Sequence, residues 1–202
     1  MTGALPPLLE EIRACRLCRD APRGRPLPHE PRPVLRVAKG ARILVAGQAP
    51  GTRVHASGVP FTDPSGDRLR DWMGVDEATF YDETRIAILP MGFCFPGLDA
   101  RGGDLPPRKE CAPAWRQRVM AALPAVELVV AIGMYAQGWH LGEARAGTLA
   151  ETVTRWRDWL RLSPPVVALP HPSWRNNAWL KRHPWVEAEV VPELRRRVGE
   201  LV

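Results

Sequence analysis

The sequence predicts an α/β protein, a four-stranded parallel sheet flanked by helices on both faces, and three observations carry that expectation. Four short apolar runs, Ile43–Ala46, Arg85–Leu89, Glu127–Ile132 and Val166–Leu169, lack an alternating polar face, as strands buried on both sides require. Segments with apolar residues at helical spacing alternate with them. Each run stops at a glycine or proline (Gly47, Pro90, Gly133, Pro170), so the chain turns at the C-terminal rim of every strand, where open α/β sheets bind their ligands.

The elements follow in order. Leu5–Cys18 reads as a short helix with Leu8, Leu9 and Ile12 on one side and Cys15 and Cys18 toward its end. Ala21–Gly40 carries Pro22, Pro26, Pro28, Pro31 and Pro33 and cannot be helical; it is expected to wrap the surface as extended chain. Its bases, Arg23, Arg25, Arg32, Arg36 and Lys39, suit either phosphates or solvent. A helix is expected over Asp67–Gly74 with Leu69, Trp72 and Met73 inward, and others over Arg108–Leu123 and Leu149–Leu160, the latter placing its tryptophans in the core. Trp179–Val198 closes the chain as one or two basic amphipathic helices.

With 202 residues the chain reads as a single domain over 1–202, large enough for one core. It has no apolar run near the ~18 residues of a membrane span and nothing that reads as a signal peptide, so a soluble, cytoplasmic monomer is expected. The 28 Lys and Arg against 22 Asp and Glu, a net +6, favour a polyanionic partner without naming one.

Four cysteines in a reducing compartment are poor candidates for disulfides. Cys15 and Cys18 form a C-x2-C pair, and Cys94 and Cys111 lie downstream in irregular, proline-rich chain. Two such pairs brought together would offer four thiolates to a tetrahedral zinc or to a [4Fe-4S] cluster, and spacing does not choose between them.

The strand exits carry the candidate site. In Gly47-Gln48-Ala49-Pro50-Gly51 the glycines permit close backbone approach and Gln48 offers an amide. Pro60-Phe61-Thr62-Asp63 adds an aromatic face and a carboxylate before a helix start at Ser65-Gly66-Asp67. His171, stiffened between Pro170 and Pro172, leaves the fourth strand on the same rim.

These residues resemble the uracil-DNA glycosylase superfamily over roughly residues 5–198. GQAPG at 47–51 resembles the first motif of its members, GEAPG in the iron–sulfur family 4 and GQDPYH in family 1. HPS at 171–173 matches the second motif, GVPF at 58–61 resembles the GxPF that carries a base-stacking phenylalanine, and the cysteine pattern resembles the family 4 cluster ligands. The resemblance implies that Phe61 stacks on a flipped uracil, that Gly47, Gln48 and Ala49 line the base pocket, and that His171 hydrogen-bonds uracil O2. It further implies that the loop of Ser173, Trp174, Arg175 and Asn176 contacts DNA, with Arg175 as the wedge and Trp174 as its alternative. Cys15, Cys18, Cys94 and Cys111 would hold the cluster.

Three positions depart from the pattern. Gln48 stands where family 4 has glutamate, Ala49 where family 1 has its catalytic aspartate, and Pro90 where an asparagine reads the uracil edge. Asp63 becomes the nearest candidate carboxylate, and the chain around Met91 and Gly92 the candidate reader of the base. The expected activity is monofunctional hydrolysis of uracil from single- or double-stranded DNA. The alternatives are a glycosylase for another deaminated base such as hypoxanthine, or a metal-stapled DNA- or nucleotide-binding protein without catalysis.

Overall fold

The computed structural model of the protein describes residues 5–202. Its centre is a four-stranded sheet of β1 (Ile43–Ala46), β2 (Ile86–Ile88), β3 (Leu128–Ile132) and β4 (Val166–Leu169), in the order β2-β1-β3-β4. Every pairing is parallel, with Ile43 opposite Ile86 and Leu128, and Val129 opposite Val166. The order reverses at β1: the chain moves outward to β2, then returns to the other side for β3. The first motif therefore leaves the sheet at the switch point, where a crevice opens between diverging connections.

The pleat sorts the apolar runs onto two faces. Ile43, Val45, Ile86, Ile88, Val130 and Ile132 point into one layer; Leu44, Ala46, Ala87, Ala131 and Ala168 point into the other. The first face is covered by Leu69, Trp72 and Met73 of one helix and by Val191, Leu194 and Val198 near the C-terminus. The second, with its small alanines, is covered by Leu8, Ile12, Val119 and Leu141. Trp156 and Trp159 are buried, as expected of core residues.

The helices depart from the expected outlines where the chain must turn. The N-terminal helix is two, α1 (Leu5–Arg13) and α2 (Leu17–Asp20), and the break between them sets Cys15 and Cys18 on a bend. Thr52–Ser57 forms α3, Pro64–Met73 forms α4 and Glu77–Phe80 forms α5. The expected helix over Arg108–Leu123 is shorter: a π-helical turn over Ala112–Arg116, containing Pro113, leads into α6 (Gln117–Ala121). α7 (Gly133–Leu141) was not expected from the sequence; α8 (Leu149–Thr154) and α9 (Trp156–Trp159) divide the next at Arg155. The closing segment is α10 (Asn177–Arg182), a π-helical turn and α11 (Val191–Gly199).

The proline-rich connection is extended, and it covers an edge. Arg36 and Ile88 exchange backbone hydrogen bonds as an isolated antiparallel bridge, and the Val34 N–H donates to Phe93 O at 2.7 Å. The outer strand β2 thus does not present a bare row of donors and acceptors. Two of the bases are structural: Arg32 donates to His55 O and Ala56 O at the end of α3, and Arg36 pairs with Glu83.

Candidate active site

The exits of β1, β2 and β4 meet in a cavity of about 90 Å³ walled by Gly47, Gln48, Phe61, Pro90, Asp104 and His171, with Val34 of the extended connection behind them. That space takes one flat ring and leaves anything larger outside, being well below the ~300 Å³ of ordinary small-molecule pockets. It opens into a wider groove shared by Gln48, Ala49, Asp63, Asp104 and His171 and bordered by Arg53, Trp174 and Arg175.

Phe61 forms an aromatic wall of the cavity, and its backbone is held in the left-handed region, with φ of 54°. A bulky residue there is strained and persists only where its surroundings fix it. Tyr81 donates its hydroxyl to Phe61 O (3.2 Å) and Pro60 O (2.9 Å), and Phe80 packs edge-on against the ring. The ring tip lies against Gly47, where a β-carbon would stand 3.5 Å from Phe61 Cζ. The first motif's leading glycine and the aromatic ring are thus in direct contact at the end of β1.

His171 is held from both sides of its own loop. The backbone N–H of Ser173 donates to Nδ1 at 3.2 Å, and the Asn176 side-chain amide donates to His171 O at 2.7 Å. Because Nδ1 accepts, the neutral ring carries its proton on Nε2. Burial lowers the pKa of His171, while Asp63 and Asp104 oppose the shift, so the imidazole is uncharged at neutral pH. The Ser173 backbone and the Asn176 side chain thus hold His171 in place. Trp174 is 72% exposed, and the Arg175 guanidinium lies 5.7 Å from the centre of its ring, so this pair projects from the loop.

Other expected roles shift. Gln48 borders the pocket, yet its amide donates to Leu105 O at 3.2 Å and ties the turn to a distant loop. Met91 and Gly92 do not line the cavity: Met91 is buried in the core, and their N–H groups donate to Gly47 O and Gln48 O, both at 2.9 Å. They brace the first motif, and the wall at this position is Pro90 and Ile88. Asp63 caps α4, accepting from Ser65 Oγ at 2.6 Å and Gly66 N at 3.3 Å. Arg175 borders the groove, joined by Arg53, whereas Lys181 and Arg182 are exposed on α10 and do not border it. Asp104 is the carboxylate that sequence reasoning missed, and burial raises its pKa.

Two buried polar side chains fix the rim. Arg116, 0% exposed, donates to Leu89 O at 2.8 Å and Pro90 O at 2.9 Å and contacts His140 Nε2 at 2.7 Å. Burial and the neighbouring Arg116 push His140 down to about 3, which leaves it a neutral acceptor. Gln137 donates to Leu169 O at 2.9 Å and holds the end of β4, from which His171 emerges.

The four cysteines meet. Cys15, Cys18, Cys94 and Cys111 line one small cavity with Pro31, Pro33, Phe93 and Trp115. None is in a disulfide. Trp115 Nε1 donates to Cys15 Sγ at 3.2 Å and the Phe93 N–H to Cys111 Sγ at 3.3 Å, contacts that favour thiolates. Burial raises Cys18 to about 11, Cys94 to about 12 and Cys111 further, so these thiols stay protonated until a positive centre takes them. Among the described residues no three His, Cys, Asp or Glu side chains close on a point that would hold a single ion. Four soft donors around a common space are the donor set that a zinc ion or an iron–sulfur cluster would take.

A small cavity with an aromatic wall and a neutral histidine donor thus opens at the strand switch point into a groove bordered by Arg53 and Arg175. A family model for the uracil DNA glycosylase superfamily matches residues 36–195. The chain belongs to that superfamily, so its class is a DNA glycosylase, a hydrolase acting on DNA. The match begins beyond Cys15 and Cys18 and covers both motifs. No helix among the described residues is long and apolar enough to cross a membrane.

Proposed function

We propose that the protein is a monofunctional uracil-DNA glycosylase that flips uracil from single- or double-stranded DNA and hydrolyses its N-glycosidic bond. The observation that carries this reading is His171, whose Nδ1 is occupied by Ser173 and whose Nε2–H is left as a neutral donor beside the base cavity. Breaking the bond puts negative charge on uracil and positive charge on the sugar. A fixed donor at O2 meets the developing anion as an oxyanion hole would, and one such donor is worth about 3–4 kcal/mol. Phe61 stacks on the ring, while Gly47, Gln48 and Ala49 shape its edge. Trp174 and Arg175 fill the gap left in the duplex. No lysine lines the cavity or its mouth, which supports water and not an amine as nucleophile.

The same proposal gives Cys15, Cys18, Cys94 and Cys111 a [4Fe-4S] cluster, with zinc as the alternative. The convergence of all four thiols on one cavity supports a group with four sulfur ligands. When bound it would staple α1, α2 and the loop after β2 together, and the chemistry at His171 does not run through it. The enzyme would act as a soluble, cytoplasmic monomer of one domain.

A uracil-containing oligonucleotide tests the reading. Hot alkali should cleave it at the uracil after incubation, and it should stay intact without alkali. Intact strands after alkali would refute the assignment. Pro90 supports a second reading, removal of hypoxanthine or another deaminated base, because that wall offers no donor to the base edge. A panel of modified oligonucleotides in the same assay separates the two.

A further inference from the structure

We infer that Asp104 is the catalytic carboxylate that holds the attacking water and faces the sugar cation, and that Gln48 positions it. The inference rests on the glycosylase reading of the same site. Residues 97–105 form a tight hairpin. Leu98 and Asp104 pair across it, the Leu105 N–H donates to Gly97 O at 2.9 Å, and the Asp99 N–H donates to Gly103 O at 2.8 Å. Asp99 Oδ1 closes the tip by accepting the N–H groups of Arg101 and Gly103, both at 2.8 Å. The hairpin is anchored at its base by the Gln48 amide on Leu105 O, 3.2 Å away. A β-carbon on Gly51 would stand 3.3 Å from Asp104 Oδ2, so the first motif and this carboxylate are in near contact.

Asp104 borders both the cavity that takes the base and the groove outside it. That boundary is where the C1′ carbon of a flipped nucleotide must lie. Asp63 shares the boundary, but its Oδ1 is committed to Ser65 and Gly66 at the start of α4. Among the described residues, no hydrogen-bond donor reaches the Asp104 carboxylate. Arg175 and His171 act on it only at longer range, and Asp63 and Asp99 repel it. The carboxylate is therefore unpaired by protein donors and open to water at the mouth of the cavity.

The step balances without a co-reactant. The C1′–N1 bond breaks with its electron pair moving onto uracil, whose O2 meets the His171 donor. Water forms the new C1′–O bond and gives one proton to Asp104. That proton passes on to the uracil anion, leaving neutral uracil, an abasic sugar and an ionised Asp104.

Asp104→Asn, Asp63→Asn, Gln48→Ala and the Asp104→Asn/Gln48→Ala double variant are compared in single-turnover excision from single-stranded DNA, with affinity measured alongside. Asp104→Asn should slow excision at least ~100-fold, in the range of a lost general base, with affinity within about twofold of wild type. Asp63→Asn should slow it less than about tenfold. Gln48→Ala alone should slow it, and in the Asp104→Asn background should add clearly less than it costs alone, a coupling that general loosening would not produce. Near-wild-type rates for Asp104→Asn would overturn the assignment, as would fully additive effects of the two substitutions for the positioning role. A wild-type enzyme that releases no base from the modified-base panel would instead sink the glycosylase reading, and this inference with it.

Discussion

Gly66 packs so closely on the carbonyl oxygen of Phe61 that a β-carbon at Gly66 would overlap that oxygen. The left-handed Phe61 and the first turn of α4 are therefore a single fitted unit. Gly66→Ala should cost ~1–3 kcal/mol in denaturant unfolding as an overpacked site. It should also slow excision by displacing the stacking ring; an unchanged rate and midpoint would show that α4 yields freely.

Burial of His171 sets the pH behaviour. Its folded pKa lies below the usual 6.5, so between that lowered value and 6.5 the unfolded chain binds more protons. This residue's contribution to stability therefore grows as pH rises through the window, is complete above 6.5, and is lost on acidification. Excision should be level through neutral pH and fall on the acid side. His171→Ala should lower the rate by ~10²–10³ with DNA affinity nearly intact. A drop in affinity matching the drop in rate would instead point to a binding role.

Arg116 is tested by Arg116→Met. The change leaves Leu89 O, Pro90 O and His140 Nε2 without their donor. Each buried group left unpaired costs about 1–3 kcal/mol, so a clear fall in thermal midpoint is expected. Full stability would mean that water or repacking replaces the guanidinium.

The groove predicts salt-dependent binding. Arg53 and Arg175 flank it, so affinity for DNA should fall steeply with ionic strength, and Arg53→Ala should lower the logarithmic slope by about 1. Arg175→Ala should impair action on paired uracil more than on single strands. Equal effects on both substrates would remove it from the wedge.

For the cysteines, aerobically handled protein should be brown, carry iron and sulfide, and bleach on treatment with chelator and oxidant. Stoichiometric zinc in a colourless protein would decide for the single ion. Cys111→Ser should reduce soluble yield and thermal stability before it alters the chemistry of the folded fraction.

The strands were legible because parallel strands buried on both faces must be apolar throughout, and β1 to β4 are. Phe61 and His171 were legible as cavity residues because each sits in a recognisable short motif, His171 directly after β4 and Phe61 after α3. α7 was not: Gly133 and Gly138 weaken it as a helix, and Met134, Tyr135 and Trp139 are apolar yet exposed, so no polar face marks it. Asp104 was hidden for a different reason. It lies in an aperiodic stretch, and what brings it to the pocket is the Gln48–Leu105 hydrogen bond, which spans 57 positions of chain. Asp63 was visible in sequence both as a carboxylate and as a helix entry, and only geometry shows which of these it spends its oxygen on.

The extended run from Pro31 to Arg36 has one more consequence. Pro31 and Pro33 wall the cysteine cavity, Val34 walls the base cavity, and Arg36 closes the edge of β2. Six residues of chain thus face two centres and one sheet edge, and a local opening there cannot disturb one of the three alone. In amide hydrogen exchange, Val34, Arg36 and Ile88 should lose protection together, as one shutter, whenever the thiols are alkylated.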